Sequence, residues 1–200
     1  MADPLEQIFG NFQENVPDDR EYLTLVFSPA NYSLKQRWRN NSLSAGFMGE
    51  YFANFFPGPN NSTLTVTKAE VKSVIKYIAN ELLENTVKFH HDPLCKISLT
   101  LYLEQEQLLF NATNSVDPAT VSHFQEWIGK LLQENVADLY IQQLEENAAD
   151  VDSTSSGLGL ITLVNDYQAR LGWKFEHDEK GILVVTTQVQ VPLVQTTNEL

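Results

Sequence analysis

The sequence predicts an α/β two-layer sandwich, in which a mixed but mostly antiparallel sheet carries helices on one face. Segments with period-two apolar alternation and segments with a 3.6-residue apolar period both occur along the 200 residues. Consecutive strands are joined by short turns, which favours antiparallel pairing over a doubly wound parallel sheet. The hydrophobic fraction of 42% and the charged fraction of 20% are ordinary for one globular domain with a sizeable core.

We expect a single domain over residues 21–194, preceded by a leader and followed by a short tail over 195–200. In chain order, the expected elements are an acidic leader over 1–20, a strand over 21–28, a helix over 33–56, a short strand over 63–66, a helix from 67 to 91, a hairpin over 95–103 and 107–113, two helical pieces after 117, a helix from 157, and a final hairpin over 173–176 and 182–191.

Local signals predict where these elements begin and end. Thr67 and Glu70 have the spacing of a capping box, and Asp117 followed by Pro118 is typical of a helix N-cap. Gly172 is expected to end the helix that opens at residue 157. Apolar side chains of the leader would dock it as a short helix, and otherwise it would be mobile; they are Leu5, Ile8, Phe9 and Phe12.

The net charge of −13 and the isoelectric point near 4.6 exclude classes of partner. Nucleic acids and anionic membranes both need a basic face, so neither is expected to bind. Cys95 is the one cysteine in the sequence, so no disulfide within the chain is expected. No signal peptide or apolar span of about 20 residues is visible. The expected location is the cytoplasm.

Two short motifs carry the chemistry. The first runs from Asn80 to Phe89 (NELLENTVKF), and the second runs from Ser155 to Leu160 (SSGLGL). Since residues three and four apart share a helix face, Glu81, Asn85 and Lys88 lie together at the edge of the apolar stripe. A carboxylate there can accept a proton, a carboxamide oxygen suits Mg²⁺, and a lysine attracts phosphate. Glycines at a helix start let a phosphate chain approach unpaired N–H groups.

Taken singly, each of these residues has a plainer interpretation. Glu81 and Lys88 are typical solvated charges at a helix edge, and Asn85 is a typical rim residue. The presence of both motifs in one chain favours a site.

The two motifs resemble those of a known superfamily. The segment 80–89 looks like the N-box helix of the GHKL, or Bergerat-fold, ATPases, and Ser156–Leu160 looks like their second glycine box. The resemblance covers about residues 67–192. It implies ATP and Mg²⁺ as cofactors, with Asn85 holding Mg²⁺ and Glu81 acting as general base. It also implies that Gly157, Leu158 and Gly159 offer backbone N–H groups to the phosphates, with Lys88 as a phosphate neighbour.

At one position the sequence departs from that superfamily. Where the family has Asp-x-Gly-x-Gly for reading adenine, residues 110–118 contain no glycine. Asn114 or Asn111 would offer a carboxamide oxygen instead. From Leu131 to Ala169 the chain also has no Lys, Arg or His, so a triphosphate near this segment would rely on Mg²⁺ and Lys88.

Within the superfamily, the sequence is most similar to the SiaB-type and anti-sigma-factor serine kinases of bacterial partner-switching systems. This resemblance implies phosphorylation of a Ser or Thr on a small antagonist protein of the STAS-like class, or control of a sigma-type regulator, with a homodimer possible. The alternative is a non-catalytic, degenerate module that binds and sequesters a protein partner. ATP hydrolysis without a protein acceptor is a weaker third option, because one short domain has no visible element to couple it to.

Overall fold

The computed structural model describes residues 6–17, 19–28, 34–56, 67–104, 107–149 and 157–193, with only the backbone given for 34–39 and 149. Its elements are β1 (Gln7–Gly10), β2 (Glu21–Phe27), α1 (Leu34–Ala53), α2 (Lys68–Phe89), β3 (Ile97–Leu103), β4 (Gln107–Ser115), α3 (Val121–Gln133), α4 (Val136–Ala149), α5 (Leu158–Tyr167), β5 (Arg170–His177) and β6 (Leu183–Pro192).

The strands form one six-stranded sheet in the order β1-β5-β6-β4-β3-β2. All five pairings between the described strands are antiparallel, so the sheet is more regular than the mixed sheet that the sequence predicts. The predicted class, a two-layer α/β sandwich, is confirmed. Both predicted hairpins are present, as β3–β4 and β5–β6.

The two faces of the sheet differ sharply in polarity. The face that packs against the helices is apolar and includes Leu99, Phe110 and Trp173, all fully buried. Because side chains alternate along a strand, the neighbouring positions project to the other face, which we call the outer face. Its side chains are largely polar, with Thr24 bonded to Thr100 across two strands at 3.0 Å.

Helix α2 follows its sequence signals closely. The hydroxyl of Thr67 accepts from the Glu70 backbone N–H at 3.2 Å, and the Glu70 carboxylate accepts from the Thr67 N–H at 2.7 Å. This reciprocal pair is the predicted capping box. The predicted stripe is buried, except that Val74 is only partly buried and Phe89 is 55% exposed; its buried members are Val71, Ile75, Ile78 and Leu82.

Three predicted boundaries differ from the structure. Residues 7–10 form strand β1 rather than a short helix, because β5 offers an open edge and Phe9 packs edge-on against Phe175. Helix α3 begins at Val121, and Asp117 instead accepts from the N–H of Ala119 inside a turn. Helix α5 ends at Tyr167, where Gln168 adopts a left-handed conformation, and Gly172 lies within β5.

Residues 11–17, which we call the strap, continue from β1 across the outer face. The N–H of Gln13 donates to the Gln188 side chain at 2.7 Å, and the Gln188 amide donates back to the Gln13 carbonyl at 3.0 Å. The Gln190 amide donates to the Asn11 carbonyl at 2.6 Å. Much of the expected leader is therefore built into the sheet.

Several predicted features lie outside the described residues. They are the strand over 63–66, part of the connection between the two strands of the first predicted hairpin, Ser155 and Ser156, and the tail over 195–200. None of the helices formed by the described residues is long and apolar enough to cross a membrane.

Candidate functional site

The site is built where α2 and α5 meet. The rings of Tyr77 on α2 and Tyr167 on α5 stack with centroids 5.2 Å apart and planes 21° apart. One turn further along α2, the Glu81 carboxylate lies against Gly159, near the start of α5. The order of these contacts runs in opposite directions along the two helices. The N-terminus of α5 therefore lies beside Glu81.

Gly159 is what allows this close approach. A Cβ atom placed on Gly159 would overlap the Glu81 carboxylate oxygen. The structure thus brings together one residue from each of the two sequence motifs. It also leaves the carboxylate beside the positive end of a helix dipole.

The first residues of α5 have a second neighbour on their other side. Gly157 is the N-cap in a left-handed conformation, with φ of +63° and no side-chain cap. A Cβ on Gly157 would lie 3.0 Å from the Gln143 carboxamide of α4. Leu158, the first helical residue, is only partly buried. The start of α5 is therefore framed by Gln143 on one side and Glu81 on the other.

Gln143 was not among the residues predicted from the sequence. It lies on α4 in a cleft between α3, α4 and α5, whose lining residues are Trp127, Lys130, Leu131, Leu139, Gln142, Gln143, Glu146 and Ile161. Its neighbour Gln142 has the same side chain, and only the packing of α4 on α5 distinguishes the two. No sequence signal could have separated them.

The surroundings of Glu81 raise the pKa of its carboxyl. Burial is the larger cause, and the negative charge of Glu84 is the second. Glu84 itself accepts a hydrogen bond from Asn80 at 2.7 Å. Burial, and then the charge of Glu81, raises the pKa of Tyr77 as well. A carboxyl with a raised pKa is a stronger proton acceptor than an ordinary one.

Asn85 and Lys88 continue the line of the site along α2. By helix rise they lie about 6 Å and about 10 Å beyond Glu81. Asn85 is partly buried, and none of the side-chain hydrogen bonds found among the described residues involves it. Lys88 is exposed and lies 5.4 Å from the ring centre of Phe89, and partial burial lowers its pKa.

The two asparagines proposed as base readers lie on opposite faces of β4. Asn114 is buried on the helix side, and its amide donates to the Ser115 carbonyl at 2.8 Å. Asn111 faces outward and accepts from the Gln188 amide at 3.0 Å, beneath the strap. The structure therefore brings Asn114, but not Asn111, to the side of the sheet that carries α2.

The phosphate end of the predicted site fits the residues present better than the base end does. Gly159 has no Cβ, so the Glu81 carboxylate can lie against the first turn of α5, and Asn85 offers a carboxamide oxygen. Among the described residues, no group of three or more His, Cys, Asp or Glu side chains could hold a metal ion. No protein-family model matches this sequence, and no curated protein matches it.

Proposed function

We propose that this chain binds ATP with Mg²⁺ and transfers a phosphoryl group to a Ser or Thr hydroxyl of a small regulatory protein. The observation that carries the proposal is the contact between the Glu81 carboxylate and Gly159. It joins the two motifs that resemble the N-box and second glycine box of the GHKL ATPases. The proposed acceptor is a STAS-like antagonist protein or a sigma-type regulator in a bacterial partner-switching system.

The start of α5 is suited to an anionic phosphate chain. The backbone N–H groups of Gly157, Leu158 and Gly159 lie at the cap or in the first turn of α5, where the positive end of the helix dipole favours an anion. Asn85 would hold Mg²⁺ through its carboxamide oxygen, and Lys88 adds a positive charge. When bound, Mg²⁺ neutralises charge on the phosphates that the acidic chain itself would repel.

Glu81 is the residue suited to act as general base. Its raised pKa lets the carboxylate accept the proton of the incoming hydroxyl more readily. The Tyr77–Tyr167 stack holds α2 against α5 and so fixes the carboxylate beside the phosphate end. Positioning and charge neutralisation are the main means by which proteins accelerate phosphoryl transfer.

The test is calorimetric titration of ATP with and without Mg²⁺, followed by radiolabel transfer from ATP to a candidate partner. Gly159→Ala is expected to lose ATP affinity at least tenfold, because its Cβ fills the space beside the first turn of α5 that the phosphates would approach. Gly129→Ala is the matched control, since a Cβ at that helical glycine meets no atom within 4 Å. Glu81→Ala is expected to keep ATP affinity and lose transfer by about 10²-fold or more.

Two results would contradict this function. One is transfer by Glu81→Ala at the native rate, which would remove Glu81 as base. The other is equal ATP affinity in Gly159→Ala and Gly129→Ala, which would place any nucleotide elsewhere.

A second candidate is a non-catalytic module that binds and sequesters a protein. The favouring observations are that residues 110–118 contain no glycine and that the Asn114 side chain is buried, only 4% exposed. A native chain with no measurable ATP affinity in the presence of Mg²⁺ would select this candidate over the kinase.

A further inference from the structure

The outer edge of β2 is a surface that the proposed function does not use. β2 pairs with β3, and no other strand within the described ranges pairs with its second side. It has seven residues, of which only Glu21 is charged, and it contains neither Pro nor Gly. The opposite edge strand, β1, has four residues and ends at Gly10 with φ of +67°. A long apolar edge strand tends to pair with another strand unless charges, prolines or a bulge prevent it. We therefore expect another segment to cover the open edge of β2.

A row of apolar side chains along α1 and into the turn after it adjoins this edge. Leu43, Phe47 and the partly buried Tyr51 lie on α1, Phe55 lies two residues beyond its end, and we call these four residues the α1 stripe. Leu43, Phe47 and Phe55 are 68%, 55% and 50% exposed. The Tyr51 hydroxyl donates to Glu21, the first residue of β2, so the stripe lies beside the strand.

We propose that a second copy of this chain covers the edge, with β2 pairing antiparallel to β2 of the partner about a two-fold axis at Thr24. In this register Tyr22 faces the partner's Val26, and Leu23 faces the partner's Leu25. Tyr22 and Val26 are 54% and 56% exposed, and an aromatic side chain opposite a β-branched one is a favourable cross-strand pair.

The register is self-complementary, as a two-fold interface must be. Thr24 meets its own copy on the outer face, where the sheet already pairs Thr113 with Thr186 at 2.9 Å. Glu21 lies opposite the partner's Phe27, so no like charges face each other within the strand. A one-residue slip would move the exposed side chains of one copy to the wrong face.

The helical layer extends the same interface. Pairing through β2 places both α1 helices on one face of a continuous sheet, where the two stripes meet. Each half-exposed side chain of the stripe and of β2 offers roughly 100 Å². Together with the strand backbone, this approaches the roughly 800 Å² per partner that stable complexes bury. The dimer is independent of ATP binding and stands whether or not the chain is a kinase.

Sedimentation equilibrium of the full chain tests this surface. The native protein is expected at twice its 22.7 kDa mass, and Val26→Glu and Phe47→Glu are each expected to be monomers. Ile141→Glu on α4 is the matched control, because Ile141 is 55% exposed on a helix that packs against α5, and it is expected to remain a dimer. A native monomer at about 100 μM overturns the proposal. So does a dimer that survives both substitutions or is lost equally in the control.

Cross-linking tests the register. In a Cys95→Ala background, Thr24→Cys is expected to form a disulfide-linked dimer under mild oxidation, since directly opposed residues bring their Cβ atoms within reach. Thr100→Cys, one strand further in on the same face, is the control and is expected to stay uncrosslinked. Equal cross-linking of the two variants, or none at Thr24→Cys, overturns the register.

Discussion

The environment of the Glu81 carboxyl depends on Gly159, a residue far along the chain. Helical spacing predicted that Glu81 and Asn85 share a face at the edge of the apolar stripe. The burial of the carboxyl and its contact with Gly159 come from α5, which packs on α2 only in the folded chain. Sequence spacing could therefore predict which face of α2 carries Glu81, but not the raised pKa that suits Glu81 to the proposed role of base.

Replacing Glu81 with Gln is expected to stabilise the fold at neutral and alkaline pH. Burial, and then the charge of Glu84, raises the pKa of Glu81 above its ordinary 4.5, so the folded state holds this proton more tightly than the unfolded state. The unfolding free energy of the native chain therefore falls as pH rises from the ordinary pKa to the raised one. Glu81→Gln lacks that fall.

Urea unfolding of both proteins from about pH 4 to about pH 8 measures the difference. The two curves are expected to converge at the acid end and to separate with rising pH. Glu134→Gln, at an exposed site, controls for the loss of one negative charge. A native chain that gains stability over Glu81→Gln as the pH rises would contradict the assigned cause.

At the scale of elements, the sequence pattern did not predict strand β1 or the strap that follows it. Its apolar residues have helical spacing, yet residues 7–10 pair with β5 and residues 11–17 lie on the outer face. The bare backbone of Gly172 makes room for this crossing. A Cβ there would lie 2.6 Å from the Phe12 backbone nitrogen.

Gly172→Ala is expected to destabilise the protein by about 1–3 kcal/mol, because the added Cβ meets backbone atoms of Asn11 and Phe12, which cannot rotate away as a side chain could. ATP affinity is expected to be unchanged, since the strap lies on the face opposite α2. Urea unfolding measures the first effect and calorimetry the second, with Gly129→Ala as the unobstructed control. If Gly172→Ala unfolds at the native urea concentration, the strap is not held against this strand.

Elements with strong local signals were predicted best. The capping box at Thr67 and the apolar stripe of α2 lie within one helix, so the local sequence suffices to define them. Asp117 has the right chemistry for a cap, but its carboxylate accepts from Ala119 in the turn that directly precedes α3. Gly172 resembles a helix stop in sequence, and only the strap that crosses it explains its place inside β5.

For the whole molecule, the charge of −13 acts against compactness. On the outer face, Lys174 lies within ion-pair distance of Glu6, Glu14 and Glu176, and Glu6 and then Glu176 raise its pKa. One cation thus serves three acids on two chain segments. Ion pairs also join Lys72 to Glu50 and Arg20 to Asp19.

Raising the salt concentration from about 20 mM to about 200 mM is expected to increase the melting temperature by a few degrees at neutral pH, because ions screen the self-repulsion. The same comparison near pH 4.6, the isoelectric point, is the control and is expected to show little change. Differential scanning calorimetry measures both. A melting temperature that falls with salt at neutral pH would show that specific ion pairs outweigh the net charge.

The position of β6 has a consequence for how the protein is made. β6 follows every other described strand in the chain, yet it sits inside the sheet between β5 and β4. Gln188 on β6 also secures the strap through Gln13, 175 residues earlier. While the chain is still on the ribosome, β3 and β4 can pair, but the sheet has a gap where its central strand belongs. Synthesis must therefore deliver residues 183–192 before β1 and β5 can join β4, β3 and β2 in one sheet, and a nascent chain halted upstream would expose its apolar layer to chaperones.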